Sequence, residues 1–259
     1  MKKTICAIAL VGSLFTVSAL AQNTRTKGVP SLVKSTGTLK GHFPTGAPAL
    51  TPPSYCAPVC LFYGGDTNPN SPDVNGFANE NTLLVPATQV YGAFTVPAGQ
   101  TWTVYGLFIN TIADGYDGID PTESTWSLSS GISSGSGGTT VASGTSTAAG
   151  TSFVPTGRVP FGFTEYTLKV RITPTVLSAG TYWANVTPQC TDSGNSSCSI
   201  SQFFFDNTFG LNRYGPLEPA DEGFFNSSYF GFDYANDCTV SSTGCQALSF
   251  GIIGTGVAD

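Results

Sequence analysis

Apolar and polar side chains alternate along several segments of the chain with a period of two residues. In residues 165–173 every second side chain is apolar: Tyr166, Leu168, Val170 and Ile172. This period is typical of a β-strand with one buried face. Tyr91–Val96 and Thr101–Thr111, separated by the Pro/Gly turn Pro97–Gln100, predict a β-hairpin. In its second strand Trp102, Val104 and Phe108 share one face, and both faces are apolar enough to be buried.

Eight further short segments predict strands: residues 59–63, 82–85, 124–129, 139–143, 180–187, 201–209, 228–234 and 246–253. No segment keeps the 3.6-residue period of an amphipathic helix. A charged fraction of 10%, with 31 Gly and 17 Pro, argues against helical bundles and coiled coils. We therefore expect an all-β fold, a β-sandwich or jelly roll of about ten or eleven strands, forming a single domain over residues 55–259.

Two segments precede the predicted domain. Residues 1–21 have the features of a cleaved signal peptide, with Lys2 and Lys3, a short apolar run and the cleavage sequence Ala19-Leu20-Ala21. Residues 22–54 predict a disordered basic linker. The apolar run is too short to span a bilayer, and no run of about 20 apolar residues follows. We expect a secreted, extracellular protein without a membrane span; the periplasm and the cell surface are the other possible destinations.

Charge is distributed unevenly along the chain. Residues 41–259 carry all 16 acidic side chains and four basic ones, which gives this part a net charge of −12. Phosphate backbones repel such a surface, so nucleic acid is not an expected partner. The basic linker offers an anionic cell envelope only a weak, salt-sensitive attraction. The oligomeric state is not defined by the sequence.

Six cysteines remain once the predicted signal peptide is removed, and they form three close pairs: Cys56 and Cys60, Cys190 and Cys198, and Cys238 and Cys245. An even number of cysteines in an exported chain predicts disulfides. Pairing within each close pair is favoured, because each bridge then closes a short loop marked by Pro, Gly or Ser. A zinc site is the alternative, although the Cys-x2-Cys spacing is missing.

Three aspartates, Asp114, Asp117 and Asp120, stand at every third position of a loop that also contains glycine. Oxygen ligands on such a loop suit Ca²⁺, so the sequence suggests a structural calcium site and no other cofactor. The spacing departs from the EF-hand pattern. Aspartates in turns also cap backbone N–H groups, and a loop without metal is the alternative.

Few residues offer catalytic chemistry. The single histidine, His42, falls in the predicted linker, which disfavours a Ser/His/Asp triad. Glu218, Asp221 and Glu222 are the candidate carboxylates for glycoside hydrolysis, which uses two carboxyl groups about 5–10 Å apart. Their Gly- and Pro-rich surroundings predict a surface turn, so we expect that the protein is not an enzyme. A glycan-active hydrolase is kept as an alternative.

Aromatic residues are concentrated in residues 201–234. Adjacent aromatic residues on a strand point to opposite faces, so some of these rings are expected in the core and others at the surface. Exposed rings can form a platform that stacks on sugar faces. The candidate ligand-binding residues are Tyr214, Phe225 and Tyr229.

Three segments resemble secreted bacterial β-sandwich proteins. Phe94–Val104 (FTVPAGQTWTV) resembles the opening hairpin of pre-peptidase C-terminal-type domains, and Leu177–Trp183 (LSAGTYW) resembles one of their later strands. Phe209–Asn212, together with the Gly/Ser-rich middle of the chain, resembles exported proteins of the choice-of-anchor group. The resemblance, over residues 80–255, implies a β-sandwich and an exported life, with no established catalytic residues. The C-terminal sorting segment of anchored members is not recognised here, so covalent attachment is not expected.

These observations predict a secreted, non-catalytic β-sandwich that binds an extracellular polysaccharide, another envelope component or a partner protein, with calcium as a possible requirement. The main alternative is a structural or matrix protein that self-associates, which low charge and exposed edge strands would permit.

Overall fold

The computed structural model describes residues 49, 51–67, 76–114, 123–191, 198, 202–208, 210–216, 223–240, 245 and 247–259. The predicted signal peptide and nearly all of the predicted linker lie outside these residues. Within them the chain forms fifteen strands, one short helix, α1 (Asp237–Val240), and two 3-10 turns, Ala148–Gly150 and Pro160–Gly162. The strands are β1 (Cys60–Tyr63), β2 (Gly76–Ala78), β3 (Asn81–Thr82), β4 (Thr88–Val96), β5 (Gln100–Asp114), β6 (Glu123–Ser130), β7 (Thr139–Thr147), β8 (Thr151–Pro155), β9 (Glu165–Leu177), β10 (Gly180–Cys190), β11 (Gln202–Thr208), β12 (Phe224–Ser227), β13 (Phe232–Asn236), β14 (Ala247–Leu248) and β15 (Phe250–Ala258).

The strands form two sheets, which confirms the all-β prediction. The first sheet has the order β1-β15-β5-β11-β14, with β2 on β11, β9 on β5 and β8 on β9. The second sheet has the order β13-β12-β4-β10-β6-β7, with β3 added beside β10. Pairing is antiparallel except for β3, which runs parallel to β10. The strand count exceeds the predicted ten or eleven because several strands contain only two to five residues.

One apolar core lies between the two sheets. Phe62 of β1 packs against Phe94 of β4, and Phe94 stacks on Trp102 of β5 with ring centroids 6.2 Å apart and planes 5° apart. Phe77 of β2 approaches Phe225 of β12 with a centroid distance of 6.3 Å. Each of these contacts joins one sheet to the other, so the sheets pack face to face as a β-sandwich.

The segments on either side of Pro97–Gln100 do not form the predicted hairpin. β4 pairs with β10 and β12 in the second sheet, whereas β5 pairs with β9, β11 and β15 in the first. The turn therefore carries the chain from one sheet to the other. This path places Phe94 and Trp102 on facing sheets, where their stacked rings are removed from water.

A register shift in β5 changes which side chains face the core. In the pairing of β5 with β15, Val104 and Gly106 are two positions apart on β5 but lie opposite the adjacent residues Gly254 and Ile253. Leu107 therefore joins Trp102 and Val104 in the inter-sheet core, and Phe108 turns to the outer side of the first sheet. The prediction that Phe108 shares a face with Trp102 is wrong, because one extra residue reverses the alternation.

Each sheet also carries a smaller apolar cluster outside the main core. The first-sheet outer cluster consists of Cys56, Cys60, Tyr63, Phe108 and Ile253. The second-sheet outer cluster consists of Tyr91, Ala93, Ile132, Trp183 and Phe224. Parts of both sheets are thus covered on both faces, which explains why strands such as β5 are apolar on both sides.

The three predicted local disulfides are confirmed: Cys56–Cys60, Cys190–Cys198 and Cys238–Cys245. They are compatible with an oxidising location such as the extracellular space. No helix in the described part of the chain is long and apolar enough to cross a membrane.

A glycine in β4 makes room for a core ring of the other sheet. A Cβ atom at Gly92 would overlap the ring of Phe250 in β15. We predict that Gly92→Ala lowers the free energy of unfolding by about 1–3 kcal/mol, the usual cost of overpacking a core, as measured by urea denaturation. The double variant with Phe250→Leu should lose less than the sum of the two single losses, since leucine vacates part of the space. Strictly additive losses would contradict this account.

Candidate functional site

The outer face of the second sheet carries a groove of about 400 Å³. Strands β4, β6, β7 and β13 contribute its lining. Seven lining side chains are polar and uncharged: Gln89, Thr125, Ser127, Ser129, Thr140, Ser143 and Thr145. Two tyrosines, Tyr91 and Tyr234, also line the groove, which we call the Tyr91–Tyr234 groove.

The two-residue period of β6 builds much of the groove floor. Trp126 and Leu128 point into the inter-sheet core. The alternate residues therefore project from the opposite face of the strand, where the hydroxyls of Thr125, Ser127 and Ser129 line the groove. A strand with one apolar face and one hydroxyl-bearing face thus supports the core and supplies the groove with hydrogen-bonding groups.

Tyr91 and Tyr234 lie together in this lining, with ring centroids 5.5 Å apart and planes tilted by 43°. The Tyr91 hydroxyl donates a hydrogen bond to Gln89 Oε1 over 3.0 Å. Burial disfavours the phenolate, and a hydrogen bond with Tyr234 adds to this, so the pKa of Tyr91 is raised above its usual value. Tyr91 therefore stays a neutral hydroxyl over the physiological pH range.

The backbone of Tyr234 is held in an unusual conformation. Its φ angle of 41° lies in the left-handed region, which costs a non-glycine residue roughly 1–3 kcal/mol. A Cβ atom at Gly137 would lie 2.5 Å from Tyr234 Cζ, so glycine is needed there for the β6–β7 loop to lie against the ring. The Gly135 N–H donates to the Tyr234 carbonyl over 3.3 Å. The β6–β7 loop is thus held against both the backbone and the ring of Tyr234.

The β6–β7 loop, residues 131–138, is anchored on the sheet. Ile132 from this loop packs in the second-sheet outer cluster with Tyr91 and Trp183. The Ser127 hydroxyl lies on the groove side of β6, within hydrogen-bonding reach of the Tyr91 hydroxyl. A serine hydroxyl donates one hydrogen bond and accepts up to two, so Ser127 keeps capacity for a polar ligand in the groove.

The three aromatic residues predicted to bind ligand are not brought together. Phe225 is 1% exposed and packs in the inter-sheet core, so the prediction of an outward ring is wrong; the pleat of β12 turns this ring inward. Tyr229 is 46% exposed and contacts Phe230 edge to face at 4.7 Å. Tyr214 packs against the first-sheet outer cluster and borders a different groove of about 520 Å³.

The predicted calcium and hydrolase residues fall largely outside the described residues. This applies to Asp117 and Asp120, and to the carboxylates Glu218, Asp221 and Glu222. Asp114 is the last residue of β5, and its side chain is not described. Within the described part of the chain, no group of three or more His, Cys, Asp or Glu residues is suited to hold a metal ion. Calcium binding by the 114–120 loop stays a prediction.

Beside the first sheet lies a buried polar cluster that the sequence did not predict. Arg158 Nη1 donates to Asp66 Oδ1 over 2.8 Å, and Arg158 Nε donates to Glu165 Oε2. Asp66 Oδ1 also accepts hydrogen bonds from the hydroxyls of Tyr55 and Tyr63, over 2.7 and 2.5 Å. The cluster joins two distant segments, since Asp66 and Arg158 are 92 positions apart, and no local motif indicates that they meet.

Glu165 and Asp206 in this cluster form a pair of fully buried carboxyl groups. Burial and the negative charge of Glu165 raise the pKa of Asp206 well above its usual range. The Asp206 carboxyl forms a hydrogen bond with Glu165, which a proton on Asp206 allows, and another with Thr67. Asp206 therefore tends to keep its proton. Because both carboxyl groups are shielded from solvent, they do not present an acid or a nucleophile at the surface.

Comparison with protein-family models finds no match, and comparison with curated proteins finds none either.

The Glu165–Asp206 pair predicts how stability depends on pH. The folded pKa of Asp206 is raised above the ordinary value of 3.8, so the folded state holds a proton that the unfolded chain releases. This contribution is fully present below pH 3.8 and is lost as pH rises toward the raised pKa, with a slope approaching roughly 1 kcal/mol per pH unit. We predict that Asp206→Asn removes this slope and raises the free energy of unfolding at pH 7.

Urea denaturation from pH 4 to pH 9 would measure the difference between the variant and the wild type. Asp233→Asn is the matched control, because Asp233 is exposed on β13. A wild type and an Asp206→Asn variant with parallel stability profiles would show that Asp206 does not carry the proton.

Proposed function

We propose that this protein is a secreted, non-catalytic β-sandwich that binds an extracellular polysaccharide in the Tyr91–Tyr234 groove. The observation that carries the proposal is the groove lining, in which two tyrosine rings stand beside seven uncharged Gln, Ser and Thr side chains. A sugar ring has hydroxyl groups around its rim and C–H groups on its faces. Hydroxyl and amide side chains can form hydrogen bonds with the hydroxyl groups of the rim, and an aromatic ring can pack against the C–H groups of a face.

The hydrogen-bonding capacity of the groove suits hydroxyl ligands. Ser and Thr hydroxyls each donate and accept, as sugar hydroxyls do. The Ser127 hydroxyl lies within hydrogen-bonding reach of Tyr91 and keeps acceptor capacity that a ligand hydroxyl can use. These side chains stand on paired strands, which reduces the entropy lost when they bind.

The position of the groove suits a polymer. Its volume of about 400 Å³ lies in the range of small-molecule sites, roughly 300–1,000 Å³. Three of its lining residues, Thr140, Ser143 and Thr145, belong to β7, the edge strand of the second sheet. A sugar chain can therefore continue past this edge while a few of its units occupy the groove.

Export and the absence of catalysis are part of the proposal. The signal-like residues 1–21 and the three disulfides support a secreted protein, and the periplasm or the cell surface would satisfy the same observations. The buried Glu165–Asp206 pair supports a structural role for these two acids. Calcium dependence through Asp114, Asp117 and Asp120 is a separate hypothesis, since these side chains lie outside the described part of the chain.

A second candidate function is self-association through β7. This edge strand runs over Thr139–Thr147 and contains neither charged residues nor proline, and β6 is its only pairing partner among the described strands. Such edges offer free N–H and C=O groups to another strand. Light scattering that shows a monomer at millimolar concentration would argue against this function.

Variants of the exposed tyrosines test the groove. We predict that Tyr234→Ala weakens binding to an immobilised polysaccharide by roughly tenfold, because it removes a stacking ring worth about 1.5 kcal/mol. Tyr234→Phe, which keeps the ring, should retain most of the affinity. Tyr229→Ala is the matched control, since it removes an exposed tyrosine that does not line the groove.

The measurement is affinity electrophoresis or calorimetry with a panel of soluble polysaccharides, and thermal unfolding checks that each variant is folded. Equal affinity of Tyr234→Ala and the wild type, or a loss confined to Tyr229→Ala, would place the binding site elsewhere.

A further inference from the structure

The second sheet is almost free of charge. Its strands contain two acidic residues, Glu123 in β6 and Asp233 in β13, and no lysine or arginine. The chain has no charged residue between Glu123 and Arg158, a stretch that includes most of the groove lining. A ligand in the groove therefore contacts hydroxyl, amide and phenol groups. The only charged residues on the surrounding described strands are the two acidic ones.

The basic residues of the folded part lie with the first sheet. Residues 41–259 contain four of them, Arg158, Lys169, Arg171 and Arg213. Lys169 and Arg171 belong to β9, and Arg158 is joined to Glu165 at the start of that strand. The Arg213 carbonyl accepts from Ala49 N, next to the Tyr214 segment that pairs with Tyr63 of β1. None of the four lines the groove.

This distribution excludes the usual ways of holding an acidic sugar. Carboxylate and sulfate groups on polysaccharides are bound through arginine or lysine, or through a cation bridged by protein carboxylates. Among the residues that the structure describes, the groove lining contains no arginine, no lysine and no carboxylate. An anionic chain would lose the hydration of its charges there and gain no opposite charge.

We infer that the Tyr91–Tyr234 groove selects neutral polysaccharides and binds them without calcium. This inference rests on the proposed function and narrows it to one class of substrate. Recognition uses neutral hydrogen bonds and ring stacking, so the affinity should vary little with ionic strength.

Affinity electrophoresis with two sets of polymers tests the inference. The neutral set is dextran, mixed-linkage β-glucan, galactomannan and xylan; the anionic set is alginate, polygalacturonate and hyaluronan. Each polymer is tried in low salt, in about 0.5 M NaCl, which shortens the screening length to a few ångströms, and with a calcium chelator. We expect retention by at least one neutral polymer, unchanged by salt or chelator and reduced about tenfold in Tyr234→Ala.

Three other outcomes would overturn all or part of the inference. Retention by anionic polymers alone, lost in salt or with the chelator, would overturn the inference and leave polysaccharide binding itself standing. Retention by neutral polymers that requires calcium would overturn the calcium-independent part. No retention by either set would overturn the proposed function and this inference with it.

A variant with added charge gives a second readout. Thr145→Lys places a cation in the groove lining, whereas Thr139→Lys places the same charge at the other end of the same exposed strand, opposite the uncharged Ser130 and outside the lining. We expect Thr145→Lys alone to gain salt-sensitive retention by alginate. Equal gains in both variants would show that the missing cation in the groove does not set its selectivity.

Discussion

The burial of aromatic rings between two sheets is the constraint on which the rest of this structure depends. Phe62, Phe94 and Trp102 form a continuous contact from one sheet to the other, and Phe250 fits beside them because residue 92 is glycine. Once these rings point inward, the pleat sends every neighbouring residue outward. The hydroxyl-rich face of β6 exists because Trp126 and Leu128 are needed in the core.

The outer faces of the two sheets differ in the residues that cover them. The first sheet is covered by the disulfide-bonded segment around Cys56 and by a buried cluster in which Arg158 joins Asp66 and Glu165. In this cluster the Arg158 guanidinium is accompanied by the acidic side chains of Asp66, Glu165 and Asp206. The raised pKa of Asp206 favours its protonated, neutral form, which reduces the excess negative charge. The described lining of the groove on the second sheet is neutral. The charges beside the first sheet are thus paired with one another inside the protein, whereas the groove of the second sheet is lined by uncharged polar groups.

Much of the fold could be predicted from local pattern, and the candidate site could not. The alternation in β9 and the close cysteine pairs were sufficient to predict a strand and three disulfides, because both are short-range features. The hairpin at Pro97–Gln100 and the faces of β5 were predicted wrongly, since sheet membership and a one-residue register shift depend on distant partners. Tyr91 and Tyr234 lie 143 positions apart in the numbering, and no motif links them.

The sequence by itself determined the strand-forming composition, the acidic charge of the body and the low charge of the segment between Glu123 and Arg158. Composition, net charge and residue periodicity can be obtained from the sequence without knowing which strands are neighbours. Tertiary structure alone decided that Phe225 is core and Tyr234 is at a groove, although both lie in the same aromatic-rich stretch. It also decided that Asp66, Glu165 and Asp206 meet. The physical reason is that burial and proximity are set by long-range strand pairing, which a local pattern does not encode.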